Sequence, residues 1–293
     1  MNKKTEKWLL SNTESLKNKT VALTGATGGI GRALCKIILE LDARLILTDR
    51  NKEKSLYLKE ELLKAFPSAE IEHITADLSD INSVKKATEE LKKADIDIFI
   101  HNAGAYSIPR YITDNGFDNV FHINFLAPYY MIKSLLPHLS KRQGKVIVTG
   151  SIAHRYSKTD VNDVDFKTRK QPSLVYGNAK RFLMFSLDKL FEEKENVRFS
   201  LVHPGISFTG ITNHYPKLIF ALIKKPMKII FMKPDKACLS TVMALFKDTL
   251  PLYWIGPRFL DVWGMPKYRK LKISEEERKF IFSKAEEIYN EQN

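Results

Sequence analysis

The chain has 293 residues, 44% of them hydrophobic and 28% charged, enough apolar matter for one large α/β domain or two small ones and too much for a disordered chain. Forty-seven Lys and Arg against 34 Asp and Glu leave a formal charge of +13, which suits an anionic cofactor, a membrane surface or nucleic acid. Two cysteines, Cys35 and Cys238, exclude a disulfide framework and a cysteine zinc site, so a reducing cytoplasm is the expected setting.

Short β-branched runs at 20–24, 44–48, 71–76, 96–101, 145–149 and 198–203 alternate with helical patterns. Ala33, Leu34, Ile37, Ile38 and Leu41 fall on one helical stripe, and segments 81–93, 117–139 and 175–193 are long enough for helices. Strands alternating with helices predict a doubly wound parallel sheet of Rossmann type, covered on both faces. No repeat or Pro/Gly-rich linker marks a domain cut. The expected plan is an N-terminal extension at 1–17, one α/β domain at 18–272 and a C-terminal helix at 273–293. The first ten residues lack the apolar core of a secretion signal. No apolar run approaches the roughly 18 residues of a spanning helix, which leaves at most a peripheral membrane contact.

After the first strand comes Thr24-Gly25-Ala-Thr27-Gly28-Gly29-Ile30-Gly31, glycines placed between a predicted strand and a predicted helix. Such a turn lets backbone N–H groups and a helix N-terminus meet a pyrophosphate. Asp49 ends the second strand, 18 residues beyond Gly31, where a carboxylate can accept from an adenosine ribose and repel a 2′-phosphate. Arg50, next to it, suits the opposite preference or stacks on adenine. NAD(H) is therefore favoured, with NADP(H) as the alternative.

Ser151 follows the fifth strand, at the sheet edge where ligands bind in this architecture. Tyr176 and Lys180, four residues apart, share one helix face. A phenol of pKa about 10 needs help to exchange protons at neutral pH, and a neighbouring ammonium is expected to lower its pKa.

On these residues the chain resembles the short-chain dehydrogenase/reductase family over about 18–260. Thr24 to Gly31 fits the family's TGxxxGIG loop. Asp77-Leu78 resembles the pair that meets adenine, and Asn102-Ala103-Gly104 resembles the motif ending the fourth strand. Asn124 stands at the place of the helix asparagine, and Ser151, Tyr176 and Lys180 complete a tetrad with it. Pro204-Gly205, with Thr209 beyond, resembles the segment over the nicotinamide. The resemblance implies that Tyr176 is the general acid/base, that Ser151 polarises the substrate oxygen, that Lys180 binds the nicotinamide ribose and that Asn124 holds a relay water. It also implies an alcohol or carbonyl substrate, and a homodimer or homotetramer. No metal is expected, because no pair of histidines has ligand spacing; His101, His154 and His203 are read as strand-end or pocket-wall residues. The run Ser151-Ile-Ala-His154 is similar to retinol-dehydrogenase-like members. The charged segment 155–173, which lengthens the step from Ser151 to Tyr176, reads as a solvated loop.

Between Ser207 and Lys272 stand twelve Lys/Arg and three Asp/Glu, most of the chain's excess charge. Lys217, Lys224 and Lys228 form a stripe on an apolar stretch broken by Pro226. The plain expectation is a substrate lid at about 207–234, and the sharper one is membrane contact through 217–232. Both suit an apolar substrate. Ser274-Glu-Glu-Glu277 reads as a capping box opening the last helix. Trp254 and Trp263 are expected to pack rather than to line the substrate side. Nucleic-acid binding rests on charge alone and is not expected. The remaining rival is a dinucleotide-sensing protein that has kept the fold without the chemistry.

Overall fold

The computed structural model describes residues 3–192, 196–206 and 232–292. A single eight-stranded sheet runs in the order β3-β2-β1-β4-β5-β6-β7-β8. Its strands are β1 (Thr20–Thr24), β2 (Arg44–Asp49), β3 (Ile71–Thr75), β4 (Ile98–His101), β5 (Lys145–Thr149), β6 (Arg198–Val202), β7 (Tyr253–Phe259) and β8 (Trp263–Lys270). The first seven are parallel, and β8 closes the edge antiparallel to β7. Val21 pairs with Leu45 on one side and with Ile98 on the other, so the order reverses between β1 and β4. A crevice opens at such a reversal, beyond the carboxyl ends of the strands.

The central strands β1 and β4 are buried throughout because both sheet faces are covered, whereas β3 alternates, with Glu72 and Thr75 exposed. Ala22, Ile46, Phe99, Val146 and Val148 face one cluster with Phe121, Phe125 and Phe182. Val21, Leu23, Leu45, Leu47, Ile100 and Ile147 face the other, with Leu34, Ile38 and Leu58. The helices α1 (Lys3–Asn12), α2 (Gly29–Glu40), α3 (Lys52–Ala65) and α4 (Ile81–Lys93) lie in the first half of the chain. There follow α5 (Asn119–Phe121), a π-helical turn (His122–Leu126) and α6 (Ala127–Lys141). A 3₁₀ turn (Ile152–Arg155) leads toward α7 (Pro172–Glu192), and the chain closes with α8 (Pro234–Ala237), α9 (Leu239–Phe246) and α10 (Glu275–Glu291).

Three expectations change. Segment 155–173 is a solvated loop only in part. Asp163, Asp165 and Phe166 are buried, Asp165 accepts from the Asp118 amide at 2.9 Å, and the Val164 carbonyl accepts from Asn178 of α7 at 2.8 Å. Its basic residues Arg155, Lys158, Lys167, Arg169 and Lys170 stay exposed. The stretch between Trp254 and Trp263 forms a hairpin, with Leu260 and Asp261 in the left-handed conformation that a tight hairpin turn requires. Trp254 is fully buried, whereas Trp263 is exposed and stacked on Phe259. The expected helix at 117–139 is interrupted by the π turn. Most of the expected lid, the basic stretch 217–232 up to Phe231 and Thr209 lie outside the described residues.

Candidate functional site

The glycine loop joins β1 to α2 at the crevice. Gly25 is left-handed at φ +70, and an added Cβ there would sit 2.9 Å from the Ala103 Cα. At Gly31 a Cβ would meet the Gly25 carbonyl oxygen at 2.1 Å, so this glycine lets the helix pack onto the loop. The sequence suggests that Gly31 keeps space for a ligand; in the structure the space is taken by the loop's own backbone. Gly28 caps α2 without a side-chain hydrogen bond, and no acid stands in the first turn. In contrast, Asn51 caps α3, Asp80 caps α4 and Ser274 caps α10. The leading N–H groups of α2 thus lack side-chain acceptors, and the helix dipole favours an anion there. These features fit the pyrophosphate of a dinucleotide, with Gly28, Gly29 and Ile30 beside it.

Asp49 is buried at the end of β2. Its Oδ1 accepts from the Thr27 amide at 3.2 Å and the Thr27 hydroxyl at 2.9 Å, and its Oδ2 accepts from Ser55 at 3.3 Å. Four lone-pair sites less three leave one on Oδ2 for an outside hydroxyl. Burial pushes this carboxyl up, opposed by the bonds from Thr27 and Ser55. Arg50 is exposed next to it. After β3, Asp77 accepts from the Ser79 amide and hydroxyl at 2.9 and 2.6 Å, and the Leu78 carbonyl lies 2.8 Å from His122 Nδ1.

Beyond β4, Asn102 Nδ2 donates to the Thr24 and Gly25 carbonyls, each at 3.2 Å. The Thr24 hydroxyl accepts from the Asn102 and Ala103 amides at 3.1 Å, which ties this segment to the glycine loop. A Cβ on Gly104 would come within 2.9 Å of Asn124 Oδ1 and 3.5 Å of Lys180 Nζ. Asn124 lies in the π turn, a feature common at functional sites. It donates to the Ala105 and Val120 carbonyls at 2.8 Å and accepts from the Ala105 amide at 3.1 Å.

Ser151 caps the 3₁₀ turn, its hydroxyl accepting from the Ala153 amide at 3.2 Å. Tyr176, half-buried on α7, has the Ser151 side chain as a neighbour that opposes the rise of its pKa, and it packs edge-on against Tyr106 at 5.2 Å. Lys180 is 2% exposed and donates to the Thr149 carbonyl at 3.1 Å. Its Nζ lies 5.9 Å from the Tyr176 ring centroid. The expectation that the lysine lowers the tyrosine pKa is not met. Burial pushes the phenol up to about 12, only partly offset by Ser151. Burial also brings Lys180 down to about 8. Desolvation outweighs an ammonium that sits against the ring.

The structure thus brings Asn124, Ser151, Tyr176 and Lys180 together at the carboxyl edge. Pro204 and Gly205 follow β6 at the same edge, where Gly205 is left-handed at φ +79 and a Cβ would meet the Val262 carbonyl oxygen at 2.5 Å. One contributor escapes the sequence reading. Gly177 lets the 3₁₀ turn press on α7, since a Cβ there would lie 2.4 Å from the Ala153 carbonyl oxygen. Trp254 stacks on His203 at 4.7 Å and meets His154 edge-on at 5.3 Å, so both histidines belong to the wall behind Ser151. Burial holds each of them at about 4, neutral at ordinary pH.

A family model described as short chain dehydrogenase matches residues 19–217. The Brassica napus protein "Short-chain dehydrogenase TIC 32 A, chloroplastic" is 27% identical over 252 residues, covering 79% of this chain and 77% of that one. Human "Retinol dehydrogenase 14" is 27% identical over 230 residues, with 72% and 68% covered. An uncharacterised protein from Mycobacterium Paratuberculosis shares the fold with a TM-score of 0.73 at 21% identity, covering 96% of each chain. A short-chain dehydrogenase from Sphingobium yanoikuyae in complex with NADPH has a TM-score of 0.61 at 21% identity, covering 79% of this chain and 86% of that one.

Proposed function

The chain belongs to the short-chain dehydrogenase/reductase family of oxidoreductases, and from that premise we propose that it moves a hydride between a nicotinamide dinucleotide and an alcohol or carbonyl carbon, with Tyr176 as general acid/base. The observation that carries the reading is the meeting of Ser151, Tyr176 and Lys180, with Lys180 Nζ 5.9 Å from the Tyr176 ring, at the edge where helix α2 begins without a side-chain cap. When bound, the cofactor supplies or takes the hydride, and its oxidised ring adds positive charge near the phenol.

The chain's own groups do the rest. Gly28, Gly29 and Ile30 hold the pyrophosphate, and Gly25, Thr27 and Gly31 shape the loop. Asp49 accepts from the adenosine ribose through its remaining lone pair, which favours NAD(H) over NADP(H), while Arg50, Asp77 and Leu78 border the adenine. Asn102, Ala103 and Gly104 floor the cleft, Pro204 and Gly205 would cover the nicotinamide, and Thr209, outside the described residues, joins them by family resemblance alone. Lys180 turns its remaining N–H groups to the nicotinamide ribose. Ser151 donates to the substrate oxygen, Tyr176 exchanges a proton with it, and Asn124 supports a water that refills Tyr176. At neutral pH the Tyr176 phenol is protonated, the form that donates to a carbonyl oxygen. Tyr106 packed on Tyr176 and the apolar side chains of Val120, Phe166 and Val175 beside it suit an apolar substrate. No helix among the described residues is long and apolar enough to cross a membrane. A cytoplasmic protein with a peripheral membrane contact through 217–232 is the setting we propose.

Thermal-shift titrations with NAD, NADP and their reduced forms, followed by alcohol and carbonyl panels on native and Tyr176→Phe protein, test this reading. Stabilisation by NAD(H) with turnover that Tyr176→Phe abolishes is the expected result. Stabilisation without turnover would favour the sensing role, and equal turnover by both proteins would sink the acid/base role.

A further inference from the structure

The last helix carries a carboxylate whose contacts reach the turn that holds Ser151. Glu277 stands at the third position of α10, where its own amide donates to the Ser274 hydroxyl at 3.2 Å. A capping box would turn its side chain back to the Ser274 amide. Instead Oε1 accepts from Arg181 Nε at 2.7 Å, the Thr159 amide at 3.0 Å and the Thr159 hydroxyl at 2.8 Å, and Oε2 accepts from Arg181 Nη2 at 2.5 Å. The fork is bidentate, the geometry in which a guanidinium is most tightly oriented.

Arg181 follows Lys180 directly and is 7% exposed. Its third nitrogen, Nη1, donates to the His154 carbonyl at 3.0 Å. His154 in turn places Nδ1 2.7 Å from the Ser151 carbonyl and its amide 3.1 Å from the same oxygen. Gly177 on α7 presses on the same turn through the Ala153 carbonyl. The turn bearing Ser151 is therefore gripped by α7 at Gly177 and at Arg181, and the plane of Arg181 is fixed from outside by Glu277. Partial burial pushes the Glu277 carboxyl up, but Arg181 and Thr159 overcome it and hold it at about 2, so it is ionised wherever the enzyme works.

We propose that Glu277 is a positioning residue: through Arg181 it sets the 3₁₀ turn Ile152–Arg155, and with it the distance of Ser151 from Tyr176. The inference rests on the reading of Ser151 and Tyr176 as the reacting pair. It assigns to the C-terminal helix a part in the chemistry of a site it never touches. Reacting groups held in this way are sensitive to small displacements, because misplacement by about 1 Å can cost roughly a hundredfold in rate.

The test compares Glu277→Gln with Glu286→Gln in the full chain. Glu286 fastens the far part of the same helix, accepting from Tyr129 at 2.6 Å and Lys133 at 2.7 Å, with no path to the Ser151 turn. In Glu277→Gln, kcat is expected to fall roughly tenfold or more while the cofactor KM and Kd stay level. Hydrogen exchange at the Ala153, His154 and Tyr156 amides, all bonded within the turn, should quicken in that variant alone. Equal effects of the two substitutions would mean that α10 merely docks, and unchanged exchange at these amides in Glu277→Gln would overturn the proposal. Should native protein turn over no substrate, the catalytic reading fails by itself, and the exchange comparison still decides whether Glu277 sets the turn.

Discussion

Two buried lysines stand at opposite edges of the sheet. Lys145 opens β5 and is fully buried, yet its ammonium meets the Asp248 carboxylate at 2.6 Å and the Lys247 carbonyl at 2.9 Å. Lys180 is nearly as buried, and among the described residues its hydrogen-bond acceptor is the Thr149 carbonyl. Burial brings both down to about 8, with Asp248 opposing the fall at Lys145. The same cost of desolvation is thus met with a counter-ion at one edge and left open at the other. A lysine that only holds the fold uses its donors within the protein; one that retains donors toward a crevice is disposed for a ligand. The contrast separates the two roles without reference to motif.

The largest effect that can break this contrast is at the partner of Lys180. Tyr176→Phe should lower turnover by roughly a thousandfold or more with cofactor affinity retained, measured by steady-state kinetics and a binding titration. Next, Lys180→Met should cost roughly a hundredfold in kcat/KM and weaken cofactor binding, whereas Lys145→Met should leave kcat near native and lower the melting temperature. If both lysine variants lose turnover alike, the distinction is wrong. Gly31→Ala forces a Cβ against the Gly25 carbonyl and should destabilise by about 1–3 kcal/mol with loss of cofactor-induced stabilisation, while Gly28→Ala, whose Cβ would clear the same oxygen at 3.4 Å, should fold normally. Chemical denaturation resolves the two.

The smallest effect is in pH dependence. Each lysine has a folded value of about 8 against an ordinary 10.5, so between these limits the unfolded chain binds more protons than the folded one. Stability from these groups therefore rises with pH across that window and is flat outside it. Subtracting the curve of Lys145→Met from that of native protein should isolate a rising difference; a difference that falls with pH would reverse the assigned sign.

Among the first six strands, the central ones were legible because burial on both faces makes their sequences largely apolar, and β3 because Ile71 and Ile74 stand in a short run bounded by polar turns. The hairpin β7–β8 was not, because Gly256, Pro257, Gly264 and Pro266 interrupt the pattern and the edge strand is half-exposed. Within the site, Tyr176 and Lys180 were readable from a local spacing on one helix. The pKa of Tyr176 was not, since it depends on how deeply the phenol is enclosed, and enclosure comes from Tyr106 and from segment 155–173, read as solvated. The link from Arg181 to Glu277 spans 96 residues, and the acid was hidden inside a pattern that already had an explanation as a cap.

Helix α10 has one more consequence, for the order in which the chain is made. Arg278 and Asp188 are both almost wholly buried and meet at 2.6 Å. On a ribosome, Asp188 emerges long before its counter-charge, and so does Arg181 before Glu277. A nascent chain that has exposed the whole parallel sheet still carries an uncompensated carboxylate on α7, a defect of roughly 3–5 kcal/mol when a buried pair is broken. Whatever sheet forms during synthesis, the helix that bears Tyr176 and Lys180 is neutralised and seated only once α10 has followed it.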